Sequence, residues 1–488
     1  MDFKNNSSTI FFPYGKLYCR LYIYNFLYRN YNLEDVRLEM KYFELNGDFI
    51  KKEIISLKDD ESIILDSKTM EFKRDIVVEL SLFNNFEIKG IIRAFADYYN
   101  DKVITCVHEQ GAFWSSNNDI VSQGNINLTC KEDMYALIQN THTTQKDINF
   151  NIRVYNHKGK SFLLKGKKLK FREFCKFKVT TKEVCEFLNN KNGHFVIEYD
   201  SYIGRAAYIY LSKNYDFASI SHATYYSSPK RPHTKKDYYQ DKATIQSFLF
   251  LSDYKGFSSK VVLFNDYPKK EYFDIELYDK KGNFIKKYEK LIILKENQTA
   301  QITPKLLGIK NFIGSIKIIA YFKKSSPLYV NSNYIIYTDK NMADSAIEFI
   351  PRLNNVDDEF IKEYINEKSI LSGTLHRSRQ FCRGIINDIY DSFLIISFTS
   401  VKNIKYSTNI KISFISKNGK ISITKYIRLQ TNKPFFKNIK EILSKKELEL
   451  LGQYFSIYLR DNKNKVVSLV LLKNKKTDDI GMDHFVGA

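Results

Sequence analysis

The sequence predicts an all-β chain of four tandem immunoglobulin- or fibronectin-like antiparallel β-sandwich units, with one short helical insertion before the last unit. Three observations predict it. One hairpin plan occurs four times, in DVRLEMKYFELNGDFIKKEI (35–54), INFNIRVYNHKGKSFLLKG (148–166), FDIELYDKKGNFIKKYEKL (273–291) and NIKISFISKNGKISITKYI (409–427). Within these stretches apolar and polar residues alternate, as at Phe273, Ile275 and Leu277, which turns one face to a core and the other to water. The strand–helix–strand alternation that builds parallel sheets is missing. The boundaries that follow are 1–120, 121–228, 229–341, an insertion over 342–390, and 391–488.

Each unit opens with a strand: LYCRLYIYN (17–25), MYALIQN (134–140), VVLFN (261–265) and FLIISF (393–398). The hairpin follows, its polar turn ending in Gly47, Gly159, Gly282 or Gly419, where a tight turn needs positive φ. A one- or two-turn helix is expected next, at DSKTM, TTKEV, TPKLL and SKKEL. Thr180 with Glu183 and Ser444 with Glu447 fit the capping box, and Pro304 fits a first helical position. Two strands complete the unit, for example GHFVIEYD (193–200) and AAYIYLS (206–212), or GQYFSIYL (452–459) and VVSLVLL (466–472). The tryptophan and cysteine pair of antibody domains are absent, so the resemblance is to an architecture and not to a sequence family. In the insertion, NNVDDEFIKEYINEKSILSG (354–373) reads as a helix with Phe360, Ile361, Tyr364 and Ile365 on one face.

Composition bounds the function. Hydrophobic residues make up 43% of the 488, enough for several cores. Seventy-six Lys and Arg against 55 Asp and Glu give +21. That balance suits an anionic partner. It also suits a solvated lysine surface in a chain rich in the AT-rich codons of Lys, Asn, Ile, Tyr and Phe, and the basic residues are dispersed. An anionic glycan or a protein partner is preferred to nucleic acid, because RNA-recognition and zinc-finger signatures are missing. Cysteines 19, 106, 130, 175, 185 and 382 show no CxxC spacing. Cys19 and Cys106 sit in apolar runs, as buried free thiols do, Cys175 and Cys185 are the only near pair, and no disulfide pattern is expected. With no apolar leader and no window of about 20 apolar residues, a cytoplasmic protein without a membrane span is expected.

Three constellations carry possible chemistry. His108, His222 and His484 each follow the last strand of a unit, in VITCVHEQGAFW, ASISHATYY and DIGMDHFVGA; the third unit has Asp339 nearby instead. If these segments converge, the imidazoles with Glu109 and Asp483 make a metal or acid–base site. Otherwise each histidine is an inert packing residue. No cofactor is expected, and a divalent metal only if His108, His222 and His484 meet. Second, the insertion ends in His376, Arg377, Arg379 and Arg383, whose guanidinium forks suit carboxylate or phosphate ligands. Third, Phe113 and Trp114 offer a stacking platform for a sugar ring or base. SSPKRPHTKKDYYQ (227–240) reads as a linker.

Walker, GxGxxG, GxSxG and HExxH motifs are absent. The expectation is a non-enzymatic binding or scaffold protein for an anionic glycan or a protein. The alternatives are an enzyme with a His/acid/Arg site at the unit junctions, acting on an anionic glycan or phosphate-bearing substrate, and a viral or phage structural protein. The final GMDHFVGA is expected to be ordered and docked on another unit.

Overall fold

A computed structural model of the chain describes residues 7–83, 94–108, 111–112, 122–142, 145–201, 204–225, 244–254, 257–265, 270–321, 332–337, 342–345, 378–397, 405, 407–461 and 466–487. Their regular structure is nearly all strand, in several antiparallel sheets. Helix is confined, among the described residues, to Phe26–Tyr31, Lys182–Leu188, Lys445–Leu451 and a 3₁₀ turn at Ile439–Glu441. None is long and apolar enough to cross a membrane.

One strand order recurs along the chain. The first five-stranded sheet runs Phe49–Ser56, Arg37–Phe43, Ile76–Phe83, Ser8–Phe12, Gly111–Ala112, and its companion runs Ser62–Asp66, Tyr18–Tyr24, Ala94–Tyr99, Ile104–His108. The same pair of sheets recurs between residues 122 and 225 and between 378 and 487. Between 244 and 345 the two merge, because Thr244–Tyr254 and Phe257–Asn265 continue into each other as a hairpin. The predicted alternation is visible in burial. Along Ile148–Asn156 every second residue is buried, while its hairpin partner Ser161–Leu169 is mostly exposed because it forms a sheet edge.

The hairpin glycines have a second role. Gly47, Gly159, Gly282 and Gly419 take φ of +92°, +78°, +82° and +73°, as tight turns require. Each tip also presses on backbone far away in the chain. A Cβ on Gly47 would lie 2.9 Å from Phe171 O, one on Gly159 2.7 Å from Glu296 O, and one on Gly282 2.9 Å from Thr431 O. A Cβ on Gly419 would collide with Asp59 O. The contacts thus run from the first sheet pair to the second, the second to the third, the third to the fourth, and the fourth back to the first. The order closes into a ring. Backbone hydrogen bonds mark two of these seams, Phe174 N–H to Leu45 O and Ser62 N–H to Lys417 O, both 2.8 Å.

At the centre of the ring lie four strands: Ile104–His108, Ala218–His222, Met342–Ser345 and Ile480–His484. The first touches the second and the fourth, and Met342–Ser345 touches those same two, so the four form a closed bundle. Apolar packing crosses three of the four seams. Phe11 stacks on Phe174 at 4.6 Å, Phe250 on Phe436 at 5.3 Å, and Phe381 meets Phe95 edge-on at 5.7 Å. Rings so paired add to area burial, which is why seams between sheet pairs resemble core.

Several expectations are corrected. Thr181, not Thr180, caps Lys182–Leu188, its hydroxyl accepting from Val184 N; Thr180 Oγ1 instead accepts from Met134 N at 2.9 Å. Ser444 and Glu447 do form the capping box. Residues 66–70 and 303–307 form hydrogen-bonded turns, so a helix follows the hairpin in only two of the four places. Cys130 and Cys185 form a disulfide closing a separation of 55 residues, whereas Cys19, Cys106, Cys175 and Cys382 are free and buried. Both ends of the 342–390 stretch are strand, Met342–Ser345 and Ser378–Ile385. The helix expected over 354–373 and the linker over 227–240 lie outside the described residues.

Candidate functional site

His108, His222 and His484 are the last residues of three of the four central strands. The fourth such strand ends in Ser345, and Asp339 lies outside the described residues. Because the strands bundle at the ring's centre, residues far apart in sequence meet there. The His108 ring lies 4.4 Å from that of His222 and 4.3 Å from that of His484, edge to face, with 5.9 Å between His222 and His484. One ring nitrogen from each lies within 4.8 Å of the others.

The local backbone explains the approach. Gly481 has no Cβ because one would stand 2.6 Å from Cys106 Sγ and 3.1 Å from Ile104 O. Strand Ile480–His484 therefore lies directly on strand Ile104–His108. Asp479 clamps the same contact by accepting from Ile104 N–H, and Thr477 Oγ1 donates to Lys102 O at 2.8 Å. On the other side, Ile220 N–H donates to Thr105 Oγ1 at 2.8 Å.

Hydrogen bonds orient all three imidazoles alike. His108 Nδ1 is 2.9 Å from Asp483 Oδ1, His222 Nδ1 is 3.1 Å from Ala223 O, and His484 Nδ1 is 2.9 Å from Phe485 O. Carboxylate and carbonyl oxygens only accept, so each Nδ1 carries a proton, and a ring that is neutral has its lone pair on Nε2. Asp483 Oδ1 also accepts from His484 N–H at 2.8 Å, while the buried Oδ2 has no hydrogen-bond partner. Burial pushes the Asp483 carboxyl up to about 6, against the opposing pull of Arg383 and His484. Burial, together with Arg205, His108 and His484, holds His222 well below the ordinary imidazole range, so it is neutral. Arg205 Nη1 stands 3.2 Å from both nitrogens of His222. His108 and His222 are each 2% exposed, and His484 is half-buried.

Of the other expected site residues with described side chains, Arg383 does not join this cluster. Arg383 is fully buried, its Nε donating to Asp97 Oδ1 at 3.0 Å, its Nη2 on the same oxygen, and its guanidinium 5.3 Å from the Phe95 ring. It ties the last five-stranded sheet to the first four-stranded one, so it is an internal ion pair and not a ligand-binding group. Arg379 lies on strand Ser378–Ile385. Glu109, Phe113, Trp114, His376 and Arg377 lie outside the described residues. Sequence reasoning missed Arg205, Gly481 and Asp97. Only Gly481, a glycine amid apolar residues, left a local signal of close backbone approach.

Residues 481–487 of GMDHFVGA are strand or strand-linked, held within the fourth sheet pair and laid on the first through Gly481 against Cys106 and Ile104. Ile480–His484 pairs with Val467–Asn474, Phe485 N–H donates to Ser468 O at 2.9 Å, and Val486–Gly487 pairs with Ser378–Ile385.

No protein-family model and no curated protein matches the sequence. Among solved structures, the chain is compared with trypsin-activated alpha-2-macroglobulin from Escherichia coli at 8% identity and a TM-score of 0.11, over 98% of this chain. It spans about a third (34%) of that protein's length, and so low a score carries no argument.

Proposed function

We propose that the protein is a non-enzymatic scaffold of four immunoglobulin- or fibronectin-like β-sandwich units, closed on itself, that displays its outer strands to an anionic glycan or a protein partner. The supporting observation is where apolar side chains are exposed. Phe49 and Ile54, Leu163, Phe284 with Ile285 and Ile293, and Tyr426 lie on the second strand of each of the four hairpins, and that strand is always a sheet edge. Lysines accompany them, among them Lys52, Lys165, Lys286 and Lys425. Apolar side chains interleaved with cations on an edge suit a partner that carries negative charge and some apolar surface. Lys52 pairs with Glu39 and Lys425 with Glu447, so part of this charge is already engaged within the chain. The test is retention on a heparin-type resin and its salt dependence. Retention at low salt that weakens steeply with added salt, and falls in a Phe284→Ser/Tyr426→Ser variant, is expected. Absence of retention, or retention unchanged in the variant, overturns the anionic-partner reading.

A second reading, an enzyme acting on an anionic substrate, is favoured by the meeting of His108, Asp483, His222 and His484. It requires substrate to reach His108 and His222, which are almost wholly buried, past a half-buried His484. Turnover of glycan or phosphate-ester substrates that disappears in His484→Ala would support it, and inactivity across both substrate classes removes it.

A further inference from the structure

We infer that His108, His222 and His484 form a binding site for one divalent ion of the zinc class, which pins three of the four central strands together. Three independent features meet there. The rings come from strand ends separated by more than a hundred residues each, yet they offer one nitrogen apiece within 4.8 Å of one another. Each Nδ1 is committed to an oxygen, to Asp483, Ala223 and Phe485 respectively, which directs the basic nitrogen to Nε2. Metal-bound histidines are usually fixed by such a carboxylate or carbonyl on the remote nitrogen. His108 and His222 are also almost wholly buried and His484 half-buried, so a largely water-shielded set of imidazole donors is what an incoming cation meets. Three imidazole nitrogens suit zinc, and also copper and nickel, better than magnesium or calcium, which prefer oxygen. In tetrahedral zinc coordination at about 2.0–2.1 Å, donor nitrogens stand about 3.3 Å apart, so the rings close by roughly 1.5 Å at most on loading.

Arg205 is the opposing group. Its Nη1 lies at hydrogen-bond distance from His222 and competes with a cation for that imidazole. Loading therefore displaces the guanidinium from the ring. This makes Arg205 a tuning residue whose loss tightens the site, the opposite of what loss of a merely structural arginine would do. The inference stands apart from the scaffold reading, because a metal at the centre says nothing about what the outer strands bind.

The experiment is a titration of zinc chloride, and separately of cobalt chloride, into the chelator-treated full-length chain. Calorimetry follows the heat, and visible absorption follows the cobalt. One zinc per chain, a raised melting temperature, and a visible cobalt band from a histidine-liganded site are expected. His484→Ala, at the half-buried position, is expected to weaken zinc about 100-fold, and Arg205→Ala to strengthen it severalfold. Should either variant fail to fold, the wild-type chain decides alone: no stoichiometric zinc heat and no cobalt band overturn the inference. Zinc binding that is unchanged in a folded His484→Ala variant overturns it equally.

Discussion

Replacing Arg383 by methionine removes the cation from a pair with no access to water. Arg383 is 0% and Asp97 1% exposed, and the guanidinium meets Asp97 Oδ1 through both Nε and Nη2. The variant leaves a buried carboxylate without its main partner. Losing one member of such a pair costs about 3–5 kcal/mol. Arg20, whose charge also reaches Asp97, softens the loss, so the lower end, about 3 kcal/mol, applies. That is roughly a hundredfold in the folding equilibrium. In Arg383→Met/Asp97→Leu both charges are gone and the site is apolar, so most of the loss is recovered. The assay is urea unfolding of the wild type, both single variants and the double variant, with the coupling read from the cycle. A single-variant loss below about 1 kcal/mol, or a double variant whose loss is the sum of the singles, would refute the pairing between the last and first sheets.

Three further outcomes follow from other positions. Gly15 and Gly47 have nearly the same φ, +98° and +92°, but a Cβ on Gly15 meets nothing within 4 Å and one on Gly47 meets the backbone at 171–173. Gly47→Ala should therefore cost about 1–2 kcal/mol more in urea unfolding than Gly15→Ala, and equal losses would remove the seam contact. Opening the Cys130–Cys185 bridge frees a loop of 55 residues, and Cys130→Ser should cost about 2–4 kcal/mol, while alkylation of the unfolded wild type should find four free thiols and not six. Burial pushes the Asp479 carboxyl up to about 8, against the hydrogen bond from Ile104 N–H. Its folded state holds a proton more tightly than its unfolded one, whose value is about 4. The stability it contributes is thus complete below about pH 4 and is lost as pH rises through about 8, at up to about 1.4 kcal/mol per pH unit. Asp479→Asn should flatten that decline between pH 5 and 8.5, and an unchanged slope would contradict the assignment.

What was legible in the sequence follows the range of the interactions. Hairpin strands are specified by alternation within ten residues, and the turn glycines by a local need for positive φ. Both could be read directly. So could Ser444 with Glu447, since a capping box is complete within four residues. Thr180 and Thr181 could not be told apart, because the choice depends on the hydroxyl that Met134 N–H, 46 residues away, takes as its acceptor. The first strands of the sheet pairs, such as Ser8–Phe12 and Ser378–Ile385, were missed; Ser8–Phe12 is buried at every position and shows no alternation. The disulfide and the Arg383–Asp97 pair join residues 55 and 286 positions apart, and no spacing rule reaches them. The histidines showed as a recurring position, yet their meeting depends on ring closure, which no single repeat encodes. The hairpin glycines hid their second role for the same reason, since a turn explains them fully until the neighbouring backbone is seen.

Closure is most directly tested by the radius of gyration of the dilute full-length chain from small-angle scattering. A compact chain of this length gives about 23 Å, while four sandwich-sized bodies placed end to end give roughly 40 Å. The closed ring predicts about 23–26 Å. A value near 40 Å would mean that the fourth hairpin does not return to the first sheet pair, and the meeting of His108, His222 and His484 would fall with it.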